Sequence, residues 1–266
     1  MGIPLDKAEL LALFLETLVY GIFFTLCCIT CIVLASVHHG GTHSRKIIMP
    51  TAFLMLALAT AHLIIDFIRA AHAFITLGSP SGAAIEYFGE VSDGLFLAKS
   101  LLYLFQTLAG DSIIIWRCYI VTNRRPMLIA LPLIAFIGDI VFGCIIVARM
   151  IRAPDGATIF SVLRGSFAAY TSMTLAITAY CTGERPSRSL CAICWRIYQP
   201  SREWGGVRTL LPVLMAIIES GALYTAGVLT TLILFLIESN AQFAALDLLM
   251  PLVGVVYCLI ILQIRY

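Results

Sequence analysis

Charged residues are scarce in this sequence: Asp, Glu, Lys and Arg make up 12% of its 266 residues. Soluble domains carry about 25%, so this scarcity excludes an ordinary water-soluble domain. The formal net charge of +2 is also too small for an electrostatic footprint on nucleic acid, and we expect no nucleic-acid partner. Hydrophobic residues account for 61% of the chain and recur in long runs. This predicts a single transmembrane domain over residues 1–266.

Common catalytic and cofactor motifs are lacking as well. GxSxG, HExxH, a Walker A loop and a dinucleotide fingerprint do not occur in a suitable context, so we expect no cofactor and leave enzymatic activity open. Cys191 and Cys194 have CxxC spacing, but a lone pair is weak evidence for a metal. His62 and His72 are ten residues apart on one predicted helix and do not converge. The sequence therefore predicts no metal site.

Seven apolar segments are present, most of them long enough to cross a bilayer as helices. They cover residues 10–37, 47–77, 95–121, 127–148, 159–181, 209–237 and 244–264. The predicted fold class is all-α: a polytopic bundle of seven transmembrane helices. The predicted localisation is that of a multi-pass integral membrane protein, with the lipid bilayer as its partner.

The basic residues predict the orientation of the bundle. Ten Lys and Arg residues lie in the first, third and fifth connections and at the C-terminus, against four in the N-terminal segment and the other connections. Because cytoplasmic segments carry the excess of basic residues, we expect the N-terminus outside and the C-terminus in the cytoplasm.

The second segment contains the polar stretch HLIIDFIRAAHAF. At 100° per residue, His62, Asp66 and Arg69 fall on one stripe of the helix, and His72 lies one turn beyond. An acid with a base three residues later can form an intrahelical pair, which lowers the cost of keeping both in the membrane. We expect Asp66 to point into the bundle with Arg69 or His62 as its partner. The pair serves either as a structural link or in binding and proton handling.

Three acids are predicted to lie near the membrane midplane. At ~1.5 Å per residue, Asp111, Asp139 and Glu219 sit about 15–18 Å above the inner ends of their helices, and no Lys or Arg shares their layer. Gln106 and Tyr224 are candidate neighbours. Structural hydrogen bonding and a functional cavity both remain open. We expect the third segment at the centre of the bundle, with Asp111 and Glu219 facing one interior space.

Arg117 lies about one turn from the cytoplasmic end of the third segment. Its surroundings resemble the Arg-x-Tyr end of the third helix in rhodopsin-like receptors, but Trp116 stands where those receptors carry an acid. An arginine at an inner helix end usually extends to the membrane surface. The last segment has no lysine near its middle, which excludes a retinal Schiff base of the rhodopsin type.

Several stretches together resemble a known family. AHLIIDFIRAAHAF, LYLFQTLAGDSIIIWRCYIVTNRR, IIESGALYT and PLVGVVYCLIILQIR are similar to a large family of uncharacterised seven-helix integral membrane proteins from mushroom-forming (basidiomycete) fungi. The block GDSIIIWRCYIV is the most specific part. The resemblance implies a seven-helix fold and no particular activity.

Three functions are compatible with these features. A receptor-like or sensor protein is slightly preferred, on the predicted orientation and the basic inner connections. The first alternative is a membrane-embedded enzyme on a lipid-soluble substrate, with terpene-cyclase-like chemistry and Asp111, Asp139 and Glu219 as proton donors. The second is a small transporter using the same acids. A small lipophilic ligand or substrate would be the partner in the first two cases, and the oligomeric state is open.

Overall fold

The computed structural model describes residues 4–36, 42–76, 83–90, 93–121, 127, 129–154, 158–183 and 207–265. For residues 36, 42–47, 83, 117, 120–121, 182–183, 207–220 and 263–265 this description covers the backbone alone. Helices and no strands occur within these ranges. The all-α class is therefore confirmed for the described part of the chain.

Eight α-helices are present in those ranges. They are α1 Leu5–Ser36, α2 Thr42–Ala71, α3 Ala83–Gly89, α4 Gly94–Val121, α5 Ala130–Ile151, α6 Ile159–Gly183, α7 Val207–Leu236 and α8 Ala241–Arg265. A π-helical turn, His72–Thr76, extends α2. Each predicted apolar segment overlaps one of the long helices, and α3 lies between the second and third segments.

Within the described residues, four helices are long and apolar enough to cross a membrane, judged by length and composition. These spans are Leu5–Ala35, Ile48–Thr76, Ala130–Ile151 and Ala241–Leu262. In α7, the stretch Gly221–Leu236 is apolar but shorter. Helix α4 carries Lys99, Gln106 and Asp111, which lower its hydropathy. The chain thus has several membrane-compatible helices, while seven spans and the orientation of the termini stay predictions.

The long helices form a closed ring. Each packs against the next long helix in the chain, from α1 through α2, α4, α5, α6 and α7 to α8, and α8 packs back against α1. Helix α4 also contacts α6 and α8. In an 18-residue stretch of α8, 72% of the residues are buried, whereas the corresponding share is 22% in each of α1, α2 and α5. The interior is therefore built around α8 as well as α4, whereas we expected α4 alone at the centre.

Glycines let α8 approach its neighbours closely. A Cβ atom at Gly254 would collide with the Phe23 ring of α1, and one at Gly110 of α4 would collide with Val253 of α8. Small residues at helix crossings permit this packing in membrane bundles.

Helices α7 and α8 are joined by a tight turn. The Ser239 N–H donates to the Leu234 carbonyl at 3.0 Å, and the Glu238 N–H donates to the Phe235 carbonyl at 3.1 Å. Glu238 has a φ of 54°, the left-handed conformation that ends a helix in a Schellman motif. The turn starts α8 at once, so that Asp247, in its second turn, lies at the end of the bundle where α1 begins.

Candidate functional site

Seven ionisable side chains are buried together at the end of the bundle where α1 begins. They come from α1, α2, α4 and α8, and each is at most 6% exposed. This group, called the ionic cluster, consists of Glu9, Glu16, His62, Asp66, Arg69, Lys99 and Asp247. Ionisable residues at such depth need partners, because an isolated charge is costly away from water.

Lys99 is the shared cation of three carboxylates. Its Nζ lies 2.6 Å from Asp66 Oδ1, 2.8 Å from Asp247 Oδ2 and 3.8 Å from Glu9 Oε2. The first two distances are those of charge-assisted hydrogen bonds. One ammonium on α4 therefore ties together α1, α2 and α8.

His62 connects Glu16 to the rest of the cluster. Its Nδ1 lies 2.6 Å from Glu16 Oε1, and its Nε2 lies 3.9 Å from Asp247 Oδ1. A neutral imidazole has one donor and one acceptor nitrogen. The short contact is a hydrogen bond, and the longer one is electrostatic.

Arg69 is held mainly by aromatic rings. Its nearest carboxylate atoms, on Asp66 and Asp93, are both 3.9 Å away, and its nitrogens make no hydrogen bond within the described residues. The guanidinium carbon lies 5.5 Å from the ring centroid of Phe88 and 4.9 Å from that of Phe96. These distances are within the range of cation–π attraction.

Helix α3 covers this side of the cluster. Its Phe88 packs against Phe74 with ring centroids 5.9 Å apart, and the Tyr87 hydroxyl donates to Asp93 Oδ2 at 3.4 Å. Partial burial and the charge of Asp93 raise the pKa of Tyr87. The phenol therefore keeps its proton and remains a donor at neutral pH.

The ionic cluster contains more acids than bases. Four buried carboxylates face two permanent cations, the Lys99 ammonium and the Arg69 guanidinium. If all four acids are ionised, two negative charges are left without a permanent cation. Protons, or another cation, must balance them, because uncompensated buried charge is strongly unfavourable.

Two of the acids predicted at the midplane, Asp111 and Asp139, have different surroundings. Both are fully buried. The Tyr224 hydroxyl donates to Asp111 Oδ1 at 3.4 Å. The other Asp111 oxygen and both Asp139 oxygens have no hydrogen-bond partner among the described residues. Gln106 instead donates to the carbonyl of Met250 at 3.3 Å.

The polar stripe predicted on α2 is found in part. Asp66 is buried, and Arg69 lies within ion-pair distance, but the closest partner of Asp66 is Lys99. His62 bonds to Glu16 instead. His72 is exposed and its ring lies 5.1 Å from that of Tyr87, because the π-turn that begins at His72 ends the regular helical register.

The structure does not describe the side chains of several residues that were considered from the sequence. The side chains of Glu219 and Arg117 lie outside the described part of the chain, as do Cys191 and Cys194. The shared interior space of Asp111 and Glu219 therefore stays a prediction, and so does the position of Arg117 at the inner surface.

Four members of the ionic cluster were not singled out as site residues from the sequence: Glu9, Glu16, Lys99 and Asp247. Two signals could have found them. Glu9 and Glu16 are seven residues apart and therefore share one helix face. Lys99 and Asp247 lie inside or beside apolar runs, where an ionisable residue requires a partner.

An apolar cavity adjoins the ionic cluster between α4, α5, α6 and α8. The centre of a water-sized sphere can move through about 60 Å³ of it, more than the roughly 10–15 Å³ that one water needs. His62, Lys99 and Asp247 form its polar end. The remaining wall consists of Phe96, Ser100, Tyr103, Leu104, Ile146, Met150, Ile159, Leu163, Phe167, Phe243 and Leu246. This cavity, called the pocket, does not include Asp111 or Asp139 in its lining.

Comparison of the chain with known protein families, with curated proteins and with solved structures found no match.

Proposed function

We propose that this chain is an integral membrane protein with seven transmembrane helices that binds a small lipophilic molecule as a receptor or sensor. The pocket supports this proposal most directly. It combines apolar walls with one polar end, the usual composition of a small-molecule site. Its position between helices is also typical of ligand sites in bundles.

The wall and the polar end of the pocket suit different parts of a ligand. Phe96, Phe167 and Phe243 belong to the wall and contribute apolar surface for a hydrocarbon group. At the polar end, the Lys99 ammonium can donate and the Asp247 carboxylate can accept a hydrogen bond. A lipophile with one hydroxyl or carbonyl group would be oriented by these contacts. The cavity is several times larger than the space one water needs, so it can hold a small apolar group together with the adjoining hydroxyl or carbonyl of the ligand.

The proposed topology has its N-terminus outside and its C-terminus in the cytoplasm. The excess of basic residues in the odd-numbered connections supports this orientation. Cysteine-accessibility or reporter-fusion mapping tests it: Thr42 and Ser187 should be cytoplasmic and Glu86 outside. Labelling of Thr42 and Ser187 from the outside contradicts the proposal.

A pair of serines on α4 tests ligand binding. The Ser100 hydroxyl donates to the Phe96 carbonyl at 2.9 Å, and the Ser112 hydroxyl donates to the Ala109 carbonyl at 2.7 Å. Ser100 lines the pocket, whereas Ser112 is exposed. Ser100→Phe therefore fills the pocket, whereas Ser112→Phe leaves it open.

We expect a small lipophile to be extracted from purified wild-type protein and from Ser112→Phe, and to be detected by mass spectrometry. Ser100→Phe should retain at least tenfold less of it. Equal amounts in the two folded variants contradict ligand binding in the pocket.

An enzyme acting on a lipid-soluble substrate is the second candidate. It is favoured by His62 and Asp247, two proton-transfer groups at the end of an apolar pocket. These residues would replace Asp111 and Asp139 as proton donors, since the latter two do not line the pocket. Lipid profiles of a host expressing wild-type protein or His62→Gln distinguish the candidates. A new product that depends on His62 favours an enzyme, and a bound but unchanged molecule favours a receptor.

A further inference from the structure

Two triads of possible metal ligands share Asp66 within the ionic cluster. In the first triad, one ligand atom each from Glu16, His62 and Asp66 lies within 4.8 Å of the other two. In the second triad, the same holds for Glu9, Asp66 and Asp247. The two triads differ in how many of their carboxylates contact the Lys99 ammonium.

The second triad contains its own cation. The Lys99 ammonium lies 2.6–3.8 Å from all three of its carboxylates. It approaches Asp66 through Oδ1, and Asp66 Oδ2 has no hydrogen-bond partner. Asp66 therefore keeps one free oxygen for the first triad.

In the first triad, Asp66 Oδ1 contacts Lys99 and Arg69, but Glu16 forms no ion pair with a Lys or Arg among the described residues. Glu16 is 1% exposed, and its Oε2 has no hydrogen-bond partner. Its other oxygen shares a proton with His62 Nδ1 across 2.6 Å. Two carboxylates with free buried oxygens beside an imidazole form a negative site that is closed to water.

We propose that Glu16, His62 and Asp66 bind one divalent transition-metal ion of the Zn²⁺ or Mn²⁺ class. One imidazole nitrogen with carboxylate oxygens is a ligand set for such ions, whereas Ca²⁺ and Mg²⁺ prefer oxygen ligands alone. The sequence predicted no metal site, because His62 and His72 do not converge. The partners of His62 come instead from α1 and from its own helix.

The charges of the ionic cluster agree with this ion. Four carboxylates, Lys99 and Arg69 leave two negative charges, and one divalent ion balances them with His62 neutral. Lys99 would then hold the second oxygen of a ligating Asp66. Such outer contacts orient the ligands of metal sites.

Movements of about 1–1.5 Å would admit the ion. Zinc–ligand bonds of about 2.0–2.1 Å place two ligands of a tetrahedral site roughly 3.3 Å apart. His62 Nδ1 and Glu16 Oε1, now 2.6 Å apart, would separate by less than about 1 Å. The ligand atom of Asp66, now within 4.8 Å of the other two, would approach them by up to about 1.5 Å. The ion replaces the proton between them, so its affinity should increase with pH. Because His62 also lines the pocket, the ion would lie beside the pocket, but its binding does not depend on a pocket ligand.

Metal binding can be measured on the full chain in detergent. The protein is treated with a chelator, and Zn²⁺, Mn²⁺ or Mg²⁺ is then added at micromolar concentration. We expect one equivalent of Zn²⁺ or Mn²⁺ per chain by elemental analysis, a thermal transition raised by several degrees, and weaker binding at pH 5.5 than at pH 8. Mg²⁺ should have little effect. X-ray absorption at the metal edge should show one imidazole among oxygen ligands.

Two acids of α1 provide a matched pair of variants. Glu16→Gln removes a ligand and should lower the affinity at least a hundredfold, whereas Glu9→Gln changes an acid of the Lys99 triad and should retain binding. His62→Gln repeats the test on a second ligand. If these variants do not fold, the uptake and absorption spectrum of the wild type decide alone.

Several results overturn the site. If wild-type protein takes up neither Zn²⁺ nor Mn²⁺, Glu16 and His62 share a proton and the triad holds no metal ion. Equal uptake by folded Glu16→Gln, or a spectrum without imidazole, places the ion elsewhere. Equal binding of Mg²⁺ indicates adventitious association of cations with the acids.

Discussion

Asp66 and Asp111 are both buried aspartates in the interior of the bundle, but their neighbours differ. Asp66 Oδ1 lies 2.6 Å from the Lys99 ammonium, whereas Asp111 accepts one hydrogen bond of 3.4 Å from the phenol of Tyr224. Among the described residues, neither Asp111 nor Asp139 forms an ion pair. An ionised carboxylate buried without a cation is strongly unfavourable. We therefore infer an anion at Asp66 and a neutral acid at Asp111.

The comparison shows that burial alone does not decide what an acid contributes. In the ionic cluster, carboxylates from three helices share the Lys99 ammonium of a fourth, so the loss of one member leaves buried charges without a partner. Asp111 and Asp139 form no ion pair among the described residues, and Asp111 accepts one long hydrogen bond from Tyr224. The same substitution should therefore have different effects in the two regions.

Lys99→Met should have the largest effect. It leaves the carboxylates of Glu9, Asp66 and Asp247 without their shared ammonium, and breaking a buried ion pair costs about 3–5 kcal/mol. We expect almost no monodisperse protein by fluorescence-detected size-exclusion chromatography. Lys7→Met, at an exposed position of α1, is the control and should give a normal yield.

Asp66→Asn should be the next most damaging change. It removes a charge-assisted hydrogen bond to Lys99, worth about 1.5–3 kcal/mol, and lowers the thermal transition in detergent. Asp93→Asn is the comparison, since Asp93 is partly exposed and lies 3.9 Å from Arg69. A transition temperature equal to that of the wild type in Asp66→Asn contradicts the assignment of an ion pair.

Asp111→Asn should change stability by less than about 1 kcal/mol, because an amide replaces a neutral acid of similar shape. Infrared spectra give the sharper measurement. A protonated carboxyl band should be present at pH 7 in the wild type and in Asp66→Asn, and should weaken in Asp111→Asn. An identical band in Asp111→Asn indicates that the proton lies elsewhere.

Tyr224→Phe should have the smallest effect. It removes one long hydrogen bond at 3.4 Å, worth about 0.5 kcal/mol, and leaves the burial of Asp111 unchanged. The thermal transition should be nearly unaffected, while the Asp111 carboxyl band moves to higher frequency. A large loss of stability would show that Asp111 is an anion that depends on the phenol.

The sequence predicted the helical class because long apolar runs leave few alternatives in a membrane. It was less accurate at the first helix, which begins at Leu5 rather than Leu10. Asp6, Lys7 and Glu9 were placed before the helix because they are charged. Glu9 instead belongs to the helix, and its carboxylate lies 3.8 Å from Lys99.

Most contacts of the ionic cluster could not be predicted from periodicity. The stripe on α2 identified Asp66, because its spacing is local to one helix. Lys99 and Asp247 are 148 residues apart in the chain, and their contact depends on how α4 and α8 are rotated toward each other. Packing at small residues such as Gly110, opposite Val253, helps to set that rotation.

The packing of α8 against α1 joins the last described helix to the first. Through it, Glu9 and Asp247 reach the same ammonium. During synthesis, Lys99 emerges with Glu9 and Asp66 already made, and Asp247 follows only after α5, α6 and α7. The ionic cluster is therefore completed late in assembly, and until α8 docks the chain has neither a closed pocket nor a fully paired lysine.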